Sequence, residues 1–207
     1  MSNKTLFEAI SKTIESLDVD SIPKERQAIL NHFIDYLKAK KKANAPIRLN
    51  FICTHNSRRS HLSQIWAQTM AAHYNINNVS SYSGGTEATA MFPKVGETLI
   101  NQGFQIQKLS EGENPVYNIK FSENEQGVIA FSKAFSSDFN PSSDFAAIVT
   151  CSSADEACPI VLGCDKRIAI TYEDPKKSDG TPQQTETYLE RSLQIATEMK
   201  FVFSSLI

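Results

Sequence analysis

Phe51-Ile52-Cys53-Thr54-His55-Asn56-Ser57-Arg58-Arg59-Ser60-His61-Leu62 (FICTHNSRRSHL) is the stretch on which the reading of this chain turns. Upstream of it, Ile47, Leu49 and Phe51 alternate with Arg48 and Asn50, which is a strand pattern. Downstream, Leu62, Ile65, Trp66 and Met70 recur at helical spacing. An apolar strand thus ends on a cysteine, a polar loop follows, and an arginine pair opens a helix. As a bare string, C-x5-R-S is a weak signal; its place between a strand and a helix gives it weight.

A strand feeding a loop that feeds a helix is an anion-binding geometry in α/β proteins. Amide groups at the helix start point at the ligand, and the helix dipole favours negative charge there. Cys53 lies where the strand ends, the edge at which ligands bind in parallel sheets. A helix N-terminus and an arginine would stabilise its thiolate as a nucleophile. Arg59 offers a planar fork that matches two oxygens of a tetrahedral oxyanion. Asn56 and Ser60 can hydrogen-bond within the loop or to the sulfur. The competing reading is a buried, inert cysteine followed by two solvent-facing arginines.

The rest of the chain supplies the frame. Leu6, Ile10, Ile14 and Leu17 form one helical stripe, and Leu30, Phe33, Ile34 and Leu37 a second, with Pro23 placed for the start of that helix. Residues 1–45 therefore read as a two-helix appendage, closed by the polar run from Lys40 to Pro46. From residue 46 to 207, strands are expected at 47–51, 79–83, 146–151 and 167–172, and helices from 62, at 93–102 and at 187–206. Gly84-Gly85 reads as a strand break. The alternation implies an α/β fold with a mainly parallel sheet and helices on both faces. Residues 105–140 fit less well. Two short apolar runs around Asn124-Glu125-Gln126-Gly127 suggest a β-hairpin insertion.

Composition narrows the function classes. The chain has 207 residues and a formal net charge of -2, which argues against a nucleic-acid binder or a polybasic membrane protein. It contains no apolar run of signal-peptide or membrane-spanning type, so a cytoplasmic protein is expected. In a reducing compartment Cys53, Cys151, Cys158 and Cys164 are not expected to form structural disulfides. The C-x6-C and C-x5-C spacings differ from those of zinc sites, and none of the four histidines lies near them in sequence; no metal is expected.

Two further elements bear on the loop. Thr171-Tyr172-Glu173-Asp174-Pro175 covers a predicted strand end and the turn after it. If that strand is parallel to the first, Asp174 falls at the same sheet edge, where it could protonate a departing oxygen. Asp-Pro is also an ordinary turn dipeptide. Cys151 likewise ends a predicted strand, and Cys158 follows with Pro159 behind it. These two thiols can pair only if the short loop between them bends their Cα atoms to within about 7 Å.

Together, Cys53 to Ser60, Asp174-Pro175 and the strand order resemble the low-molecular-weight protein tyrosine phosphatases. The C-x6-C-P run from Cys151 to Pro159 resembles, more narrowly, the thioredoxin-coupled arsenate reductases built on the same fold. Trp66, Tyr82-Ser83, Glu87 and Pro93-Lys94 add to the likeness, which covers the chain from Ile47 onward but neither the N-terminal helices nor the insertion. The resemblance implies a three-thiol relay. Cys53 attacks arsenate, while Arg59 and the loop groups of Thr54, His55, Asn56, Ser57, Arg58 and Ser60 hold the oxygens. Asp174 assists as general acid, Cys151 then attacks Cys53, and Cys158 attacks Cys151. Thioredoxin reduces the resulting disulfide, and no bound cofactor is implied.

The chain departs from the pattern at several positions. His55 stands where the family usually has glycine, and a positive φ there would strain it. Arg58 replaces a second loop cysteine, and would either add charge beside the anion or point to solvent. Gln64 stands where the reductases often have an acidic residue linked to a cation site, which speaks against potassium. Cys164 has no relay role. The runner-up function is a phosphatase that uses Cys53, Arg59 and Asp174 but neither Cys151 nor Cys158. Lys176-Lys177 after Asp-Pro, where tyrosine phosphatases carry aromatic residues, favour a small inorganic oxyanion. A third reading is a non-catalytic oxyanion-binding or adaptor domain.

Overall fold

The computed structural model describes residues 5–157 and 160–207. Two helices, α1 (Glu8–Ser16) and α2 (Lys24–Lys42), precede strand β1 (Ile47–Cys53). Helix α3 (Arg59–His73), β2 (Val79–Gly85), α4 (Pro93–Asn101), β3 (Gln105–Lys108), β4 (Tyr117–Lys120) and β5 (Val128–Ala130) follow. The chain continues through β6 (Phe145–Val149), α5 (Ser152–Ala157), β7 (Cys164–Ala169) and α6 (Gln184–Ser204).

Four strands form a parallel sheet in the order β2-β1-β6-β7. β1 sits centrally, and six of its seven residues are buried, as a strand covered on both faces requires. Its sequence alternation is therefore only half of the story, because Asn50 is buried too and donates to the Phe135 carbonyl at 3.1 Å. On one face Phe51 meets Phe33 of α2 edge-on, and Leu49, Trp66 of α3 and Phe203 of α6 join the same core. Ile52 belongs instead to a smaller cluster with Phe145, Ala147 and Val161. The N-terminal helices pack into the main core through Ile10, Ile14, Leu30, Phe33 and Leu37.

Several strands depart from their sequence-based bounds: β1 runs on to Cys53, and β6 spans Phe145–Val149 and so stops two residues before Cys151. The ladder of β7 begins at Cys164 and stops at Ala169, yet Ile170 and Tyr172 still donate to the carbonyls of Val149 and Thr150 at 2.9 and 3.0 Å. Gly84 and Gly85 do not break β2; they are its last two residues. The insertion contains the expected antiparallel pair, β4 with β5, and β3 adds a third strand beside β4. The short helix α5 carries no apolar stripe long enough to be read from sequence.

Candidate active site

Cys53 ends β1, and its register partner is Gly85, the last residue of β2. A side chain at Gly85 would place its Cβ 2.7 Å from both the Asn56 nitrogen and the Thr54 oxygen. Only glycine lets the neighbouring strand come this close to the loop. The carbonyls of the loop are tied outward. Cys53 O accepts from Thr86 N (3.1 Å), Thr54 O from Glu87 N (2.8 Å) and Ser57 O from Phe92 N (3.0 Å). His55 O accepts from the hydroxyls of Thr89 (3.1 Å) and Ser132 (3.0 Å). Among the described residues, the amide N–H groups of 54–58 are spent on no acceptor within the protein. Fixed carbonyls and uncommitted N–H donors ahead of the start of α3 at Arg59 are an arrangement that can cradle an anion.

The one left-handed residue of this loop is Asn56, at φ 44°. The strain anticipated at His55 does not arise, because the turn falls one residue later on a type that tolerates it. The Asn56 side chain is fully used: Oδ1 accepts from Lys133 N at 2.9 Å and Nδ2 donates to Ser60 Oγ at 2.9 Å. Ser60 Oγ lies 3.1 Å from Cys53 Sγ. Ser60 accepts from Asn56, so its own proton is free to be donated to the sulfur, a bond that would stabilise a Cys53 thiolate. Cys53 is buried.

Arg59 spans the site. Nη1 donates to the Tyr172 carbonyl at 3.0 Å, and Nη2 forms an ion pair with Asp174 Oδ2. Its Nε is buried without a partner among the described residues. Asp174 also caps the short helical turn Pro175–Ser178, with Oδ1 accepting from Lys176 N at 3.0 Å. The acid proposed from sequence is thus held at the loop by the arginine proposed to bind the anion.

Cys151 is buried beside the loop. Its Sγ lies 3.4 Å from Thr54 Oγ1 and accepts from Ala154 N at 3.4 Å. Cys53, Val149, Cys151 and Ala154 form one small buried cluster. Cys158, the third thiol of the expected relay, lies outside the described residues. Cys164 packs against the separate Ile52–Phe145 cluster, and burial pushes its thiol up.

The remaining loop residues face elsewhere. His55 is partly exposed, with Nε2 3.6 Å from a Glu87 carboxylate oxygen. Ser57 Oγ donates to Ala90 O at 2.7 Å. Arg58 takes neither of the courses the sequence left open. Its Nε donates to Tyr188 Oη at 2.5 Å, its Nη2 pairs with Asp179 Oδ2 at 2.5 Å, and its guanidinium sits 4.1 Å from the Phe92 ring centroid. Burial raises the Asp179 carboxyl, but hydrogen bonds from Tyr188 and Gln184 and the charge of Arg58 bring it below its ordinary value. Gln64 donates to the carbonyls of Ser81 and Ile129 at 3.1 and 3.3 Å.

Sequence reasoning missed the groups that hold the loop from behind. Lys133 is buried, and burial lowers its ammonium to about 8. His61 is wholly buried; burial first, then the charge of Lys133, lowers it to about 3, so its ring is neutral. Gly84-Gly85 was a usable signal, but its meaning, close approach of Gly85 to the loop and of Gly84 to Phe135, needed the neighbouring segments.

No family model matches the chain. The resemblance read from the motifs is borne out by a relative named arsenate reductase, from Bacillus licheniformis. It is 25% identical over 142 residues, 68% of this chain and 83% of the relative. Among solved structures, a YwlE mutant from Bacillus subtilis superposes with a TM-score of 0.52 at 14% identity, over 77% of this chain and 98% of that one. A thioredoxin-dependent arsenate reductase from Corynebacterium glutamicum aligns over 97% of this chain and 85% of its own, with a TM-score of 0.41 and 20% identity.

Proposed function

We propose that this chain, which has the low-molecular-weight phosphotyrosine phosphatase-like fold, reduces arsenate to arsenite through a thiol relay that starts at Cys53. The observation that carries the reading is the second thiol: Cys151 Sγ lies 3.4 Å from Thr54 of the loop and shares a buried cluster with Cys53. Ester hydrolysis has no use for a thiol there.

Arsenate enters the cradle of loop amides, and Arg59 turns its fork from Asp174 onto two anion oxygens. Asp174, released by Arg59, takes up a proton from solvent; Cys53 Sγ then bonds to arsenic as one hydroxyl oxygen, protonated by Asp174, leaves as water. The Cys151 thiolate then attacks Cys53 Sγ. The S–S bond forms, the electron pair of the S–As bond stays on arsenic, and arsenite departs. Cys158 attacks Cys151 and frees Cys53 as a thiolate. Two thiols are oxidised as arsenic takes up two electrons. A dithiol protein such as thioredoxin, itself oxidised, restores Cys151 and Cys158.

The decisive experiment is the Cys158→Ser variant. It should release about one arsenite per chain and stall with Cys53 and Cys151 linked, because exchange needs an incoming thiolate. Repeated turnover by that variant with thioredoxin would refute the relay. A second reading, phosphate monoester hydrolysis through a cysteinyl-phosphate, is favoured by the assembly of Cys53, Ser60, Arg59 and Asp174 without recourse to Cys151. Wild-type protein that hydrolyses esters and never joins Cys151 to Cys158 would hand the assignment to it.

A further inference from the structure

We propose that Arg58 is a positioning residue, which fastens the turn carrying Asp174 to the oxyanion loop, and is not a ligand of the anion. The proposal rests on the Cys53-centred chemistry above. Asp174 and Asp179 bound the same short turn, Asp174 as its first cap and Asp179 as its last. Each is gripped by one of two consecutive arginines, Asp174 by Arg59 and Asp179 by Arg58. The two grips have different fates in the reaction. Arg59 must give up Asp174 to hold the oxyanion, and the acid then loses one of its tethers at the moment it is needed.

Arg58 has no such conflict. Its guanidinium is enclosed, with the side chain only 12% exposed. It closes a ring of contacts: Arg58 Nε donates to Tyr188 Oη, Tyr188 donates to Asp179 Oδ1 at 2.6 Å, and Asp179 Oδ2 pairs with Arg58 Nη2. Gln184 Nε2 adds a bond to Asp179 Oδ1 at 3.2 Å. Phe92 lies under the guanidinium and stacks on Tyr188, with ring centroids 5.8 Å apart. Phe92 N is itself bonded to the loop carbonyl of Ser57. A planar fork whose Nε and Nη2 are committed along one edge, whose face is covered by Phe92 and whose charge is paired with Asp179 is turned to the acid turn rather than to an anion. It is well placed to keep α6, the acid turn and the loop in register while Arg59 moves.

The test uses the full chain and four variants: Arg58→Ala, Asp179→Asn, Asp174→Asn and the double Arg58→Ala/Asp174→Asn, with Cys53→Ser as control. Single-turnover arsenite release and inhibition by inorganic phosphate are measured for each. Arg58→Ala and Asp179→Asn should each slow release about tenfold or more, the scale of a misplaced catalytic group. The phosphate inhibition constant should change by less than about threefold, since uniform anion binding is intact. In the Asp174→Asn background, Arg58→Ala should add little, because it acts through that carboxyl. Amide hydrogen exchange over 174–179 with phosphate bound should quicken in both clamp variants, a readout that needs no turnover. Phosphate affinity that falls tenfold or more in Arg58→Ala would make Arg58 an anion ligand and overturn the proposal. Wild-type release and exchange in both clamp variants would overturn it as well. If Arg58→Ala does not fold, the near-isosteric Asp179→Asn carries the test by the same criteria. Retained activity in Cys53→Ser sinks the underlying reading, whereas an inactive Cys53→Ser beside two fully active clamp variants sinks this proposal alone.

Discussion

The loop after β1 and the turn after β7 meet across one site, and they are held by different means. The loop is fixed mainly through its backbone. Four of its carbonyls are bonded outward, and β2 approaches so closely at Gly85 that no side chain fits. The acid turn is fixed through long side chains: Arg59 to Asp174, Arg58 to Asp179, and a deeper network in which Tyr172 donates to Glu198 at 2.8 Å while Arg26 of α2 pairs with the same carboxylate. A cradle for an oxyanion must be preorganised, because its donors stabilise charge only if they need not rearrange. A turn that delivers a proton and whose arginine changes partners must instead be tethered at several separable points. The division also gives the N-terminal helices a structural task, since Arg26 reaches the residue two positions before Asp174 through Glu198 and Tyr172.

Substitutions can break or sharpen this contrast. The largest effect is expected at the nucleophile: Cys53→Ser should abolish arsenate reduction and any ester hydrolysis while circular dichroism and melting stay native-like. Full activity in that variant would remove the chemical meaning of both regions. Next is Arg59, which the proposed mechanism uses in both regions. Arg59→Lys keeps the charge but loses the planar fork, and should cost about a hundredfold in kcat/KM. A loss of only a few-fold would show that a point charge suffices. A smaller, purely structural effect should follow Gly85→Ala. The added methyl meets backbone atoms of the loop and of Glu87, so urea unfolding should report a loss of about 2 kcal/mol, with anion binding impaired. Undiminished stability there would contradict the backbone-fixed loop. The smallest effect belongs to the deep tether of the turn. Tyr172→Phe removes one buried hydrogen bond and leaves Glu198 paired with Arg26, so about 1 kcal/mol is expected. Activity should then fall by less than in the Arg58 variants, and the reverse order would place the main tether at Tyr172.

The anchoring elements were legible where neighbours in sequence are neighbours in space. The strand-loop-helix of 47–73 has its periodicity, its loop and its helix start written consecutively, and the structure follows it closely. The juxtaposition of Cys53, Ser60 and Arg59 was therefore expected from the chain alone, and so was the nearness of Asp174 once a parallel sheet was assumed. Arg58 was not understood, because its partners Asp179 and Tyr188 are 121 and 130 positions away and no local pattern connects them. The bounds of β7 slipped for a related reason: sheet-type bonds to the carbonyls of Val149 and Thr150 outlast the ladder.

By itself the sequence determined the layering of strands and helices and the placing of Cys53 and Arg59 at the two ends of one loop, because 2.0 and 3.6 periodicities and a loop between them are local properties of the chain. Only the tertiary structure decided which residue of the loop turns left-handed, that Gly84 and Gly85 let neighbouring segments touch, that Cys151 lies against Thr54, and that one arginine of a pair meets Asp174 while its neighbour meets Asp179. Each of these depends on which distant backbone or side-chain group arrives as a partner. Hydrogen bonds and ion pairs act over a few ångströms and are indifferent to separation along the chain.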